Sequence, residues 1–236
     1  MKEHCVSRTV VGIRGRGGAF AELVSVPAAN LHEIPDSIDD QTAVFVEPTA
    51  AACRVLEQIA IDRQARVAVL GDGRLGLLIA QVIATTGAGV TVFGKHDEKL
   101  EIGTALGLAC RRADAPIADE RLFDIVIDAT GRPEGLMRAV ELAQPRGIVV
   151  MKSTFHGEAP VASAPIVVNE VTLVGSRCGP FARAIELLAA GAVRVQPLVT
   201  RVTSLDDYES AFAEARHGLK VMFRIRNQEE QTEDKQ

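Results

Sequence analysis

The sequence has no C-x-x-C pair: its four cysteines, Cys5, Cys53, Cys110 and Cys178, lie far apart in 236 residues. The start Met1-Lys2-Glu3-His4 shows no apolar signal-peptide core, so a reduced, cytoplasmic protein is expected. Lysine and arginine form no long cluster and the formal net charge is −5, which argues against nucleic acid or a membrane as a partner. The five histidines, His4, His32, His96, His156 and His217, lack ligand spacing and read as surface residues. G-x-S-x-G, a P-loop and a Cys-His nucleophile arrangement are missing too. What is plentiful is apolar material: 47% of the residues are hydrophobic, which excludes disorder for most of the chain.

One uncharged stretch, Leu75 to Phe93, reaches the length of a membrane-spanning candidate. Its texture reads otherwise. Leu75, Leu78, Ile79, Val82 and Ile83 keep a helical rhythm, Thr85-Thr86-Gly87 closes it, and Val90-Thr91-Val92-Phe93 restarts as a strand.

That helix opens from Val67-Ala68-Val69-Leu70-Gly71-Asp72-Gly73-Arg74-Leu75-Gly76, a β-branched run ending in G-x-G-x-x-G. In this context Gly71 permits the tight turn, Gly73 lets backbone amides approach a pyrophosphate, and Gly76 lets the helix sit close on the sheet. Arg74 and Leu75, inside the same turn, join them as candidate cofactor-binding residues. The pyrophosphate charge then faces the positive end of the helix.

Around this turn the chain alternates as doubly wound folds do. A helix is expected over 50–60, a helix from about Asp97 to Leu106, and a short strand at Leu108–Cys110. Further strands are expected at Asp124–Ala129, Ile148–Met151 and Val171–Val174, with a helix from Pro133 to Ala143 between the first two. Runs such as Ile125-Val126-Ile127 are apolar without alternation, as in a parallel sheet covered on both faces. The fold expected is α/β, a six-stranded Rossmann unit. Residues 1–46 read as the β-rich tail of something larger, with strands at Thr9–Ile13 and Phe20–Val26. After Gly175 come a helix Phe181–Ala190, a helix Leu205–Ala215 capped by Ser204, and a strand Leu219–Ile225. Asn227 to Gln236 has nothing to bury and is expected to be disordered.

Folds that prefer NAD place an acid about 20 residues past the glycines, on the ribose hydroxyls. Here that place holds Gly94, followed by Lys95 and His96. The missing carboxylate and the Lys95 cation favour a 2′-phosphate, so NADP is expected over NAD. The acids Asp124 and Asp128 flank one strand, and Asp128 is the better placed for contact near a cofactor.

The order Glu47-Pro48-Thr49-Ala50-Ala51-Ala52, the glycine turn, Asp124 through Ala129-Thr130-Gly131, Val174-Gly175-Ser176-Arg177-Cys178-Gly179 and Gly218-Leu219-Lys220-Val221 resembles the medium-chain zinc-dependent alcohol dehydrogenases. The polyol, glucose and threonine dehydrogenase branch is the nearest, over nearly the whole chain from His4 to Ile225. The resemblance implies NADP or NAD as cofactor, with Gly71, Gly73 and Gly76 on the pyrophosphate and Ala129, Thr130 and Gly131 beneath the ribose. It puts the strand end Lys152-Ser153-Thr154 near the nicotinamide and Lys220 reaching back to the phosphates. It also likens Glu47 to a carboxylate serving or supporting a catalytic zinc, and Cys5 to the last of four structural-zinc cysteines.

Family members begin earlier, with a GroES-like domain that carries the zinc cysteine, a Gly-His-Glu motif and three more cysteines. A catalytic zinc takes three protein ligands, so Glu47 by itself does not hold one, nor does Cys5 make a structural site. The chain is therefore expected to be N-terminally shortened. Residues 1–46 and 179–227 belong in this reading to the catalytic domain, 47–178 to the dinucleotide-binding domain, and 228–236 to a tail. Catalytic residues are unknown and the zinc is in doubt. The activity expected is hydride transfer between nicotinamide and an alcohol or polyol, impaired by the missing ligands. The alternative is a non-catalytic dinucleotide-binding module that dimerises through the last Rossmann strand. A zinc-free quinone-reductase-like enzyme is disfavoured by Glu47-Pro48 and Cys5. The single tyrosine, Tyr208, has no lysine four residues on, unlike the Tyr-Lys pair of short-chain dehydrogenases.

Overall fold

The computed structural model describes residues 4–115, 123–155, 157–158 and 160–225. The expected disordered tail and His156 lie outside them. The chain divides into two compact units, one of residues 34–197 and one of residues 1–33 with 198–236.

The larger unit is a doubly wound sheet. Its elements are α1 (Asp40–Ala43), α2 (Val46–Gln58), β3 (Arg66–Leu70), α3 (Arg74–Ala84), β4 (Gly89–Gly94) and α4 (Asp97–Ala105), where β3 follows two short strands of the other unit. They continue with β5 (Ala109–Arg112), β6 (Phe123–Asp128), α5 (Pro133–Leu142), β7 (Ala143–Met151), α6 (Ser163–Val168), β8 (Thr172–Gly175) and α7 (Phe181–Ala189). All neighbouring strands are parallel, in the order β5-β4-β3-β6-β7-β8. That reversal of direction beside β3 leaves a crevice at the carboxyl ends of β3 and β6, where such sheets bind ligands.

The reason for the sheet is the apolar runs. Val67, Val69, Val126, Ile127, Val149 and Val150 are fully buried, since α3, α4 and α5 cover the faces. Helix α3 is apolar nearly all round and packs against α2, which explains the uncharged stretch without a membrane. Among the described residues no helix is long and apolar enough to cross one. At the amino end of the sheet Asp124 accepts from the Arg66 amide at 2.7 Å and from the Gln144 side chain at 2.7 Å.

Several boundaries differ from expectation. Strand β7 starts at Ala143, with Phe123 facing Ala143 and Ile125 facing Ile148, so residues 144–147 bulge out and Arg146 takes φ +62°. Helix α6 lacks a strong apolar rhythm, and its Val167 and Val168 are exposed. The compact units meet at 33/34 and 197/198; within the larger one α7 packs on α2 and Gln196 donates to Thr42 Oγ1 at 3.0 Å.

The smaller unit holds β1 (Val10–Val11), β2 (Gly15–Arg16), β9 (Arg201–Ser204), α8 (Tyr208–Glu214) and β10 (Val221–Arg224). No strand forms over Phe20–Val26; instead Phe20 lies edge-on against Phe212 and Phe223, at 5.6 and 5.2 Å between ring centroids. The helix expected over Leu205–Ala215 is split, a 3-10 turn at Leu205–Asp207 preceding α8. Asp207 is held by Arg201 and Thr203 of β9, a strand the sequence reading left out.

Candidate functional site

The glycine turn is built by contacts that exclude side chains. Gly71, at φ +115°, would put a β-carbon 2.6 Å from the Ala129 carbonyl oxygen, and Gly76 would put one 2.0 Å from the Gly71 oxygen. Gly73 differs: nothing lies within 4 Å of its β-carbon position, and it caps α3 with no side chain on the first-turn amides. No acid stands in that first turn either. The positive helix end and the open space at Gly73 together fit a pyrophosphate. Arg74 and Leu75, in the same first turn, are half-buried. Burial pulls the Arg74 guanidinium below its ordinary value, and Glu47 pushes it back up.

Beside the turn a cavity of about 330 Å3 runs between the ends of β3, β4 and β6, lined by Gly71, Asp72, Gly94, Lys95, His96 and Thr130 among others. Its floor is Asp72, only 7% exposed. Asp72 Oδ2 accepts from the amides of Lys95 and His96, both at 2.7 Å, and His96 Nδ1 lies 3.0 Å from it. Burial works against the charge. The bonds from His96 and Lys95 outweigh it, and the carboxyl stays below its ordinary value. A β-carbon on Gly94 would stand 2.5 Å from Asp72 Oδ2. A carboxylate from the turn after β3 thus occupies the space beside Gly94 at the end of β4. Linear spacing did not reveal this, although an acid inside G-x-G with a glycine closing the next strand was the available signal. Lys95 and His96 are exposed at the cavity rim.

Past β6 a second rail forms. Asp128, 2% exposed, accepts from the Thr130 amide at 3.0 Å and the Thr130 hydroxyl at 2.7 Å. Ser153 Oγ accepts from the Gly131 amide at 2.8 Å, and the Ala129 amide donates to Leu70 O at 2.9 Å. Ala129, Thr130, Gly131 and Ser153 are thus brought to the same sheet edge as the glycine turn.

The next group along that edge is Lys152. Its ammonium is buried and donates to Ala51 O at 2.7 Å and Ser176 Oγ at 3.2 Å. Burial lowers its pKa to about 8, with Cys178 and Glu47 pulling the other way. Cys178 itself adopts φ +56° in a loop pressed on α2, where a β-carbon on Gly179 would meet Ala50 O. Glu47 stands exposed in the first turn of α2.

Two candidates lie in the smaller unit. Cys5 is exposed, with Ser7 Oγ 3.2 Å from its sulfur, and the Lys220 amide donates to Thr200 Oγ1 at 3.3 Å just before β10. Among the described residues no three of His, Cys, Asp or Glu stand together as a metal site. Glu47 and Cys5 fall short of the ligand sets that catalytic or structural zinc takes.

Compared with known proteins, residues 40–225 match the family described as glucose dehydrogenase C-terminus. The L-threonine 3-dehydrogenase of Streptomyces avermitilis is 32% identical over 227 residues, 89% of this chain and 66% of that protein. A structure from Escherichia coli CFT073, described as a short chain alcohol dehydrogenase complexed with NADH, superposes with TM-score 0.84 at 26% identity, covering 93% of this chain and 70% of that one. A candidate zinc-binding dehydrogenase from Sinorhizobium meliloti 1021, bound to NADP, gives TM-score 0.81 at 27% identity, over 89% and 67%. The chain spans 61% and 66% of the length of the first curated relatives it matches.

Proposed function

Because the chain belongs to the zinc-type medium-chain alcohol dehydrogenase family, we propose that it binds NADP or NAD along this sheet edge and serves hydride transfer between that cofactor and a small alcohol or polyol. The observation that carries the reading is the open Gly73 cradle at the start of α3, beside a cavity at the crevice of a parallel sheet. The nicotinamide supplies the hydride chemistry when bound.

The chain's own residues bind and orient. The first-turn amides of α3 take the pyrophosphate, and the Asp72, Lys95 and His96 end of the cavity takes the adenosine. Thr130 and Gly131, fixed by Asp128 and Ser153, line the path toward the nicotinamide. Lys152, with a pKa of about 8, can hold or release a proton near neutral pH at that end. Among the described residues Glu47 and Cys5 do not complete a zinc site, and impaired turnover is the outcome that the zinc assay below tests. Residues 1–46 and 179–227 are proposed to belong to the GroES-like catalytic domain of that family.

A second reading, a dinucleotide-binding module that assembles as a homodimer, is favoured by β8. It is the outer strand of the sheet, its Leu173 is 37% exposed, and Val167 and Val168 stand exposed just before it. The four free cysteines support a cytoplasmic location.

Calorimetric titration with NAD and NADP tests the binding, and saturable binding of at least one is expected. A panel of polyols assayed with each cofactor, with and without added zinc, tests the rest. Strong zinc-dependent turnover would overturn the impairment, and binding without any turnover would favour the module.

A further inference from the structure

Resting on the dinucleotide reading above, we propose that Asp72 is the carboxylate that reads the adenosine ribose, and that it favours a free 2′-hydroxyl over a 2′-phosphate. In folds of this type the acid that accepts from the ribose hydroxyls ends the second strand of the sheet unit. Here that strand is β4 and its last residue, Gly94, has no side chain.

The space is not vacant. A β-carbon at position 94 would meet Asp72 Cβ and Oδ2, each at 2.5 Å, and Cγ at 2.7 Å. The two positions exclude each other's side chains, so the turn after β3 delivers a carboxylate to the root of the place where a strand-end acid would begin. It is also held there. Oδ2 is bound by the Lys95 and His96 amides, which fixes the side chain, while Oδ1 has the His96 imidazole at 3.1 Å and keeps lone-pair capacity toward the cavity that Asp72 lines.

The charge balance then turns on burial. Lys95 is exposed on a flexible stem, and solvent screens it. Arg132, Glu134 and Arg138 also line the cavity, and Arg138 is paired with Glu141 at 3.0 Å. Asp72, 7% exposed, acts through a less polar medium, so its fixed negative charge is felt more strongly by a phosphate dianion than the mobile Lys95 cation is. A ribose hydroxyl meets the same oxygen as a hydrogen-bond acceptor, and bonds to charged acceptors are the stronger kind.

The test is calorimetric titration of NAD and NADP into the whole chain and into Asp72→Asn. Asparagine keeps a carbonyl for the amides of residues 95 and 96 and removes the charge. The expected result is a shift of the affinity ratio toward NADP by about tenfold or more, mainly through weaker NAD binding. The double variant Asp72→Gly with Gly94→Asp clears the β-carbon that a side chain at position 94 would meet, moves the carboxylate to the strand end and is expected to restore the ratio toward NAD; it keeps the test open if Asp72→Asn fails to fold, as judged by thermal unfolding. Equal changes for both cofactors, or a shift toward NAD in Asp72→Asn, would overturn the proposal and leave the dinucleotide reading intact. If neither cofactor binds the unaltered chain, both fall.

Discussion

Lys152 offers the sharpest test of how this structure handles charge. Its pKa falls from the ordinary 10.5 to about 8 because the ammonium is buried, only 8% exposed, beneath α2 and the loop after β8. A change of that size corresponds to about 3 kcal/mol, nearer 2 once solvent at its wetter side is allowed for. Between pH 8 and 10.5 the unfolded chain holds a proton on this lysine that the folded chain has lost, so its contribution to stability rises with pH across that window. Lys152→Met removes the titration together with the bonds to Ala51 O and Ser176 Oγ. Near pH 7 the loss of those bonds and the relief of the buried charge oppose each other, and the variant is expected within about 1 kcal/mol of the parent. Urea unfolding at pH 7 and pH 10 reads the difference. The parent should gain about 2 kcal/mol relative to the variant over that range. The buried Cys53, pushed up to about 11, slopes the other way but does so in both proteins and cancels. A parent-minus-variant difference that does not change with pH would refute the assignment of a buried, easily deprotonated ammonium.

The glycine turn separates space for a ligand from space for packing. Gly76→Ala must push the Gly71 carbonyl aside and is expected to lower stability by about 2 kcal/mol or more, whereas Gly73→Val should leave the melting temperature nearly unchanged while weakening dinucleotide binding about tenfold; thermal unfolding and titration read the two. Leu173→Arg on the outer strand β8 is expected to leave the fold intact and yield monomer by light scattering, and a dimer surviving it would place the interface elsewhere.

Much of the fold was legible because its causes are local. The unbroken apolar runs Val67–Leu70 and Ile125–Ile127 reveal buried parallel strands, and Gly71, Gly87 and Gly107 mark chain reversals at positive φ. Harder to read were elements whose reason lies elsewhere in the chain. Strand β9 is short and half-buried and exists through its pairing with β10, and Phe20 contributes to an aromatic cluster with Phe212 and Phe223 instead of to a strand. The site shows the same division: the pyrophosphate cradle follows from three glycines in sequence, while the burial of Lys152 depends on α2, about a hundred residues earlier in the chain.

By itself, then, the sequence determined the doubly wound sheet, the glycine cradle and the family, since patterns of period and turn chemistry are properties of neighbouring residues. Only the tertiary structure decided what stands at the end of β4. Read linearly, Gly94 is an acid left out; in space, Asp72 fills its place from 22 positions earlier and is locked by the amides of Lys95 and His96. Parallel strands bring residues from separate turns to one edge, so the charge at a site on that edge is a sum over turns that no single stretch contains.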